Sequence, residues 1–368
     1  MKRLELVSQL HLKLLEPHRT SLEKCVYCPK LSRAACPVSN AETNETVTPW
    51  GKMSMAYFAA RGDVPLDARH ADPAWACSAC YACRERCDHK NEVATVLTDA
   101  RAEFFARGLA PEPAQRVSAR FEAREEELRG ELDALSRAAE PGAVRVLIGC
   151  GYVRHAPDVA RDALEATEAL VGAPARPVRA CCGLPLLYAG DRPGFEAAAR
   201  RLAAEVADGG RFVAVDPGCA RAVRVEYARV GVSVEVPELF VDLARASLDR
   251  LQRSTSERRV RYHDPCQLGR GLDRYDAPRE ILARITGRPP EEFIHRREHA
   301  DCSGGGGLVP ATRPASSAAI ADGRIAEHRA LGGGLLVTHC AQSLRRFRTR
   351  GEPAEDLASL VARAVAPR

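Results

Sequence analysis

Aromatic side chains are scarce in this sequence. Phenylalanine, tryptophan and tyrosine together make up 5% of 368 residues, and there are only three methionines. The net charge is +5, and it comes from arginines dispersed among acidic residues. No basic stripe is interleaved with aromatics, so nucleic-acid binding is not expected. Nor does any stretch approach the roughly 18 apolar residues of a membrane span. Contact with a membrane would have to go through a partner or a surface face. The first twenty residues set His11, Lys13 and Glu16 among their apolar positions. They lack the apolar run and the small-residue cleavage site of a secretory leader. Hydrophobic residues still make up 45%, which is enough to build the cores of two or three domains.

Cysteine, by contrast, is abundant, with fourteen residues. Disulfide frameworks belong to short secreted chains. Here the cysteines cluster at metal-ligand spacings, so a reducing compartment, the cytoplasm, is expected. The run Cys77-Ser-Ala-Cys80-Tyr-Ala-Cys83-Arg-Glu-Arg-Cys87 has the spacing C-x2-C-x2-C-x3-C. That spacing wraps an iron–sulfur cube with three thiolates and sends the fourth to a neighbouring cluster. Structural zinc is the simpler alternative, but zinc sites pair two C-x2-C units across a longer gap. The neighbouring cluster needs a second set, and Cys25-Val-Tyr-Cys28 and Cys36-Pro37 supply it upstream. Ser32 stands where its third ligand is expected.

Residues 1–20 read as an amphipathic helix carrying Leu4, Leu10, Leu12 and Leu15. Residues 21–91 hold the seven clustered cysteines with few regular elements, and Thr48-Pro49-Trp50-Gly51 reads as a turn. Residues 92–140 read as helices broken near Pro111 and Pro113, with Glu122–Leu128 as a solvated face. After Pro141-Gly142 the texture changes. Val144–Ile148, Phe212–Val215, Val232–Val236, Val260–Tyr262 and Leu335–Thr338 read as strands, and a helix is expected from about Asp158 to Leu170. Alternating strands and helices predict parallel α/β layers. Ligands in such layers gather at the C-terminal strand ends, where Cys150, Cys219, Cys266 and Cys340 fall.

The second half repeats itself. Cys150, Cys181-Cys182-Gly183 and Cys219 are followed by Cys266, Cys302-Ser303-Gly304 and Cys340. The interval from Cys182 to Cys219 equals that from Ser303 to Cys340. The first copy offers four thiolates, enough for a four-iron cube or for zinc. The second offers three, with Ser303, a hard and poor iron ligand, in place of a cysteine. Its site is therefore a three-cysteine cluster, a cluster with an oxygen-ligated or open iron, or empty. Gly304–Gly307 lacks the Lys-Ser/Thr of a phosphate loop. Glycines beside a cluster let the backbone approach and donate N–H to sulfur. His263, His339, His155 and His89 read first as structural histidines, and Trp50 and Trp75 as packing residues.

At these residues the chain resembles the cysteine-rich "CCG-domain" iron–sulfur oxidoreductases. These include heterodisulfide-reductase-like proteins and the iron–sulfur subunits of glycolate and anaerobic glycerol-3-phosphate dehydrogenases. His263-Asp-Pro-Cys266 is similar to the opening of the family's second CCG domain. The resemblance implies an α+β chain: an α-helical ferredoxin-type domain over 1–91, a helical linker over 92–141, and two α/β CCG domains with short parallel sheets over 142–256 and 257–368. It implies one 4Fe-4S cluster on Cys36, Cys77, Cys80 and Cys83. A second would sit on Cys25, Cys28 and Cys87, with one ligand missing at Ser32. One or more further centres would be carried by the CCG domains. Iron or zinc is expected at Cys150, Cys181, Cys182 and Cys219, with Cys266, Cys302 and Cys340 as the weakest set. Some relatives cleave a disulfide with a fifth cysteine, where this chain has Ala222 and Ser343. Plain electron transfer is thus implied, from a flavoprotein dehydrogenase or electron-transfer flavoprotein to a quinone, a membrane subunit or another carrier. That places the chain in the cytoplasm or peripherally on the inner face of the membrane. Two alternatives are a disulfide or quinone reductase acting at a CCG site, and a non-catalytic redox-sensing or assembly protein that has lost cluster sites.

Overall fold

The computed structural model describes residues 9–28, 32–135, 143–254 and 258–365. Leu4 of the expected N-terminal helix lies outside them. Leu10, Leu12 and Leu15 are buried, ahead of the helix Arg19–Val26. Among the described residues no helix is long and apolar enough to cross a membrane.

The N-terminal part is more helical than the expectation of few regular elements. Thr48-Pro49-Trp50-Gly51 is a helix start rather than a turn. The Thr48 hydroxyl accepts from the Gly51 N–H at 3.0 Å, and Pro49 takes the first helical position of Pro49–Arg61. Proline fits there because the N–H it lacks would have no intrahelical partner. Helix Val93–Phe105 buries Val93, Val96, Leu97, Ala100 and Phe104 in the same core as Leu12, Leu15, Met53 and Trp75. Helix Phe121–Leu135 instead turns Phe121, Leu128 and Leu132 into the core of the C-terminal half. The 92–141 segment is thus divided between two cores.

Two parallel sheets form the C-terminal half. The first contains β1 (Val144–Leu147), β2 (Ala175–Pro177), β3 (Phe212–Ala214) and β4 (Glu238–Leu239) in the order β2-β1-β3-β4. The second contains β5 (Val260–Tyr262), β6 (Leu335–Thr338) and β7 (Ala354–Asp356) in the order β5-β6-β7. A lone parallel bridge from Arg261 to Glu291 stands where β2 stands in the first sheet. The sequence repeat is therefore a repeat of topology. Helix Pro157–Val171 packs Val159, Ala163, Leu164, Ala166 and Leu170 inward at helical spacing and stops at Gly172, whose φ is 72°. The expected strand Val232–Val236 is absent. Val236 is exposed and precedes Pro237, and pairing to β3 begins only at Glu238.

Candidate metal centre

The Cys77–Cys87 loop is wound by two left-handed residues without glycine, Ala79 (φ 52°) and Tyr81 (φ 61°). Such conformations cost about 1–3 kcal/mol each and persist where the surroundings enforce them. They bring Cys77, Cys80 and Cys83 to one side, with Cys83 in the helix Ala82–Glu85 and Cys36 opposite at the start of Pro37–Glu42. Burial pushes the Cys83 thiol well up, and the charges of Cys77, Cys80 and Cys36 add to the shift. Against this set lies Lys52, 2% exposed, whose Nζ donates to Cys36 Sγ at 3.2 Å. Burial alone would lower the proton affinity of Lys52. The thiolate charges of Cys36 and Cys77 outweigh it and hold the ammonium above its ordinary value. Among the described residues no carboxylate pairs with this ammonium. A buried unpaired cation costs several kcal/mol, so the pocket suits an anionic centre. Four thiolates around an iron–sulfur cube are such a centre, and these residues fit it.

The second set is incomplete. Cys25 ends the helix Arg19–Val26 and accepts from Asn91 Nδ2 at 3.1 Å. Burial pushes its thiol up to about 12, opposed by Asn91 and reinforced by Cys87 and Cys28. A cavity of about 300 Å³ is lined by Cys28, Ser32 and Cys87 together with Asp88 and His89. The structure thus brings together the three thiols and the serine that the spacing paired. Three thiols and a hydroxyl do not fit a four-cysteine cube.

In the first repeat, Cys150 follows β1, Cys219 follows β3, and Cys181 and Cys182 follow β2. Cys182 Sγ lies 3.1 Å from Cys219 Sγ, and Cys181 Sγ lies 4.0 Å from Cys150 Sγ. The bond to Cys182 pulls the Cys219 thiol down, but burial and Asp216 override it and carry it up to about 12. Asp216 shapes this turn, its Oδ1 accepting from the Gly218 and Cys219 N–H groups at 2.9 and 3.2 Å. Its Oδ2 accepts from the Ala341 N–H of the second repeat at 3.2 Å, which links the two sites. Ala222 begins a π-helical turn, Ala222–Glu226, just past the cysteine.

The second repeat meets the first thiol set directly. The Cys302 thiol donates to Ser78 Oγ at 3.7 Å, within the Cys77–Cys83 loop, and the Cys80 and Cys302 thiols act on each other, Cys80 being held well below its ordinary value and Cys302 well above its own. The charges of Cys80 and Cys266 also act on Cys302. Cys340 interacts with Cys266 and Asp216. Arg270 bridges the domains, its Nε donating to the Cys80 carbonyl at 2.6 Å and Nη1 to the Ala300 carbonyl at 2.7 Å. The glycine run is explained by contact. A Cβ on Gly306 would lie 2.4 Å from the Ser78 carbonyl oxygen, and one on Gly307 2.2 Å from that of Cys77. Gly304 N–H donates to Cys302 Sγ at 3.2 Å. Ser303 Oγ and Ser343 Oγ, buried, are hydrogen-bonded at 2.9 Å.

Two of the four histidines, His339 and His263, are satisfied by structural partners. His339 Nδ1 is 2.9 Å from Asp356 Oδ1, and His263 accepts from Arg324 Nε at 3.3 Å. His155 is exposed, and His89 alone of the four lines a thiol cavity. Trp75 Nε1 donates to the Ala189 carbonyl and Trp50 Nε1 to that of Val26. Sequence reasoning missed Lys52, Arg270 and Arg101. The last, fully buried, donates to the carbonyls of Ala74, Cys77, Tyr188 and Gly307, tying all three domains together. A lone basic residue in a helical stretch carries no local signal of such a partner.

Residues 21–91 match the family description "4Fe-4S dicluster domain", and residues 144–224 and 260–344 match "Cysteine-rich domain". Over 171 residues the chain is 32% identical to one component of the dihydromethanophenazine:CoB–CoM heterodisulfide reductase of Methanosarcina mazei, covering 44% of this chain and 42% of that one. Over 160 residues it is 29% identical to one component of the fumarate reductase (CoM/CoB) of Methanothermobacter marburgensis, covering 44% and 32%. A probable iron-sulfur-binding oxidoreductase of Bacillus subtilis is 36% identical over 103 residues, covering 27% and 14%. The chain thus spans less than half the length of each of these relatives.

Proposed function

We propose that this chain, a 4Fe-4S dicluster domain joined to two cysteine-rich domains, is an electron relay between a flavoprotein and a quinone or another carrier. The observation that carries the reading is the seating of the second repeat on the Cys77–Cys83 loop, with Cys302 Sγ 3.7 Å from Ser78 Oγ and Arg270 Nε donating to the Cys80 carbonyl at 2.6 Å. It puts a thiol of the repeats against the loop that carries the best-formed thiol set of the N-terminal domain. Bound clusters would supply one-electron storage, the hard chemistry of such chains. The chain's own residues do the rest. Cys36, Cys77, Cys80 and Cys83 provide thiolates, Lys52 offsets their charge, and Arg101 and Arg270 hold the loops that keep water out. The named activities of the relatives, heterodisulfide and fumarate reduction in multi-subunit enzymes, support a place in a complex whose flavoprotein or membrane partner accounts for any peripheral attachment.

The test is anaerobic purification with iron and sulfide counting, EPR of the reduced protein, and reduction by a reduced electron-transfer flavoprotein. A brown protein with several irons per chain that accepts electrons is expected. A colourless, iron-free chain of full stability would overturn the reading. A second reading, a disulfide or quinone reductase at Cys150, Cys181, Cys182 and Cys219, draws on the 3.1 Å approach of Cys182 to Cys219. Turnover by the isolated chain that Cys182→Ser abolishes would favour it. Ala222 at the fifth ligand position weighs against it.

A further inference from the structure

The cavity holding Ser32 deepens the relay reading, on which it rests. Its walls come from two separate stretches, Lys24, Tyr27, Cys28 and Ser32 from one and Cys87, Asp88 and His89 from the other. Cys25 adjoins them and is coupled electrostatically to both Cys28 and Cys87. The set therefore offers three thiols to one centre, with a hydroxyl at the fourth corner.

An iron–sulfur cube takes one protein ligand per iron, and cysteine thiolate is the soft ligand that iron–sulfur clusters select. A serine hydroxyl is hard and stays protonated at neutral pH, so it cannot hold the fourth iron as a thiolate does. The carboxylate and the imidazole of the wall, Asp88 and His89, come from the Cys87 side. Asp88 follows Cys87 directly in sequence, and His89 comes next. Neither stands at the position the spacing reserves for a ligand. A cluster with three irons needs only three thiolates. The corner left by the fourth iron would face the cavity that Ser32 lines.

We propose that Cys25, Cys28 and Cys87 hold a three-iron cluster whose missing corner faces Ser32, while Cys36, Cys77, Cys80 and Cys83 hold a four-iron cube. The relay then contains two chemically different stations, and their spectra separate. An oxidised three-iron cluster is paramagnetic, whereas an oxidised four-iron cube of ferredoxin type is silent. The two sites can be read independently, one in the oxidised protein and the other in the reduced.

The experiment uses the full chain purified anaerobically, with EPR in both states and iron and sulfide counts. Three forms are compared: wild type, Ser32→Cys and Ser32→Ala. The wild type is expected to show the three-iron signal when oxidised and the cube signal when reduced. Ser32→Cys should lose the three-iron signal and gain one iron per chain. Ser32→Ala should keep the signal at full intensity, because the hydroxyl is not a ligand; it also serves where the cysteine variant fails to fold. A wild type silent when oxidised but carrying the reduced cube signal would overturn this inference and leave the relay intact. So would a three-iron signal that survives Ser32→Cys or is lost in Ser32→Ala. Absence of both signals and of iron would instead bring down the relay reading itself.

Discussion

Lys52 Nζ lies 3.2 Å from Cys36 Sγ in a pocket where the lysine is 2% exposed. A positive charge so placed stabilises whichever redox state of the neighbouring centre carries more negative charge, namely the reduced one. Because Lys52 and Cys36 are both buried, water screens the interaction little. Lys52→Met, of similar length, should therefore lower the reduction potential of the cluster on Cys36, Cys77, Cys80 and Cys83. The expected shift is at least a tenfold change in the reduction equilibrium, about 59 mV for one electron. Lys52→Arg should retain most of the potential. An EPR-monitored redox titration gives the number, and an unchanged midpoint in Lys52→Met would refute the charge argument.

Gly307 and Gly333 have nearly the same φ, 60° and 62°, but very different surroundings. A Cβ on Gly307 would lie 2.2 Å from the Cys77 carbonyl oxygen, whereas one on Gly333 meets open space. Gly333→Ala should cost only the left-handed strain of a side chain, about 1–2 kcal/mol. Gly307→Ala should cost several kcal/mol and also displace the Cys77–Cys80 loop, since a carbonyl in that loop must move. Chemical unfolding of the two variants, with iron content, checks this. Equal losses of stability and full iron retention in both would contradict the close-contact explanation of the glycine run.

The cysteine spacings showed both thiol sets of the first domain and the duplication of the second half, because ligand spacing is local and a repeat is visible in one dimension. The short strands followed from apolar runs, apart from Val232–Val236. There the alternating pattern falls on a segment with an exposed Val236, and pairing waits until after Pro237. Thr48-Pro49-Trp50-Gly51 reads as a turn because proline and glycine mark turns as well as first helical turns, and the Thr48 cap decides between them. Nothing local could have paired Arg101 with Gly307 or Cys302 with Ser78, since each contact joins residues far apart in the chain. The meeting of Ser303 with Ser343 was hidden for the same reason.

That serine pair makes a prediction of its own. Its hydroxyls satisfy each other at 2.9 Å in a buried setting. Ser303→Ala or Ser343→Ala alone leaves one hydroxyl without its partner and should cost about 1–3 kcal/mol. The double variant removes both and should be close to wild type, so the coupling in the double-mutant cycle should equal the two single losses together, about 2–6 kcal/mol. Iron content should be the same in all four forms, because the hydroxyls spend their bonds on each other. Loss of iron in Ser303→Ala would mean that the serine is a ligand after all.

His263 sets a pH dependence whose sign follows from its surroundings. Burial, then Arg324 and Arg270, hold its proton affinity well below the ordinary value of 6.5. Arg324 Nε donates to its Nδ1 at 3.3 Å, and Phe347 and Phe293 pack edge-on against the ring at 5.1 and 6.3 Å. Above about pH 6.5 the residue is neutral both folded and unfolded, and its burial carries no protonation penalty. Below that, the unfolded chain takes up a proton that the folded chain refuses. Stability then falls with falling pH by up to about 1.4 kcal/mol per unit from this residue. His155 and His328 are also shifted down and contribute in the same sense. His263→Gln keeps an acceptor for Arg324 but cannot titrate. It should be less stable than wild type at pH 8, having lost the ring contacts, yet its stability should fall less steeply between pH 6.5 and 5. Unfolding midpoints measured across that range in both proteins give the difference in slope, expected to be close to one proton. Parallel profiles would show that His263 is protonated in the folded chain.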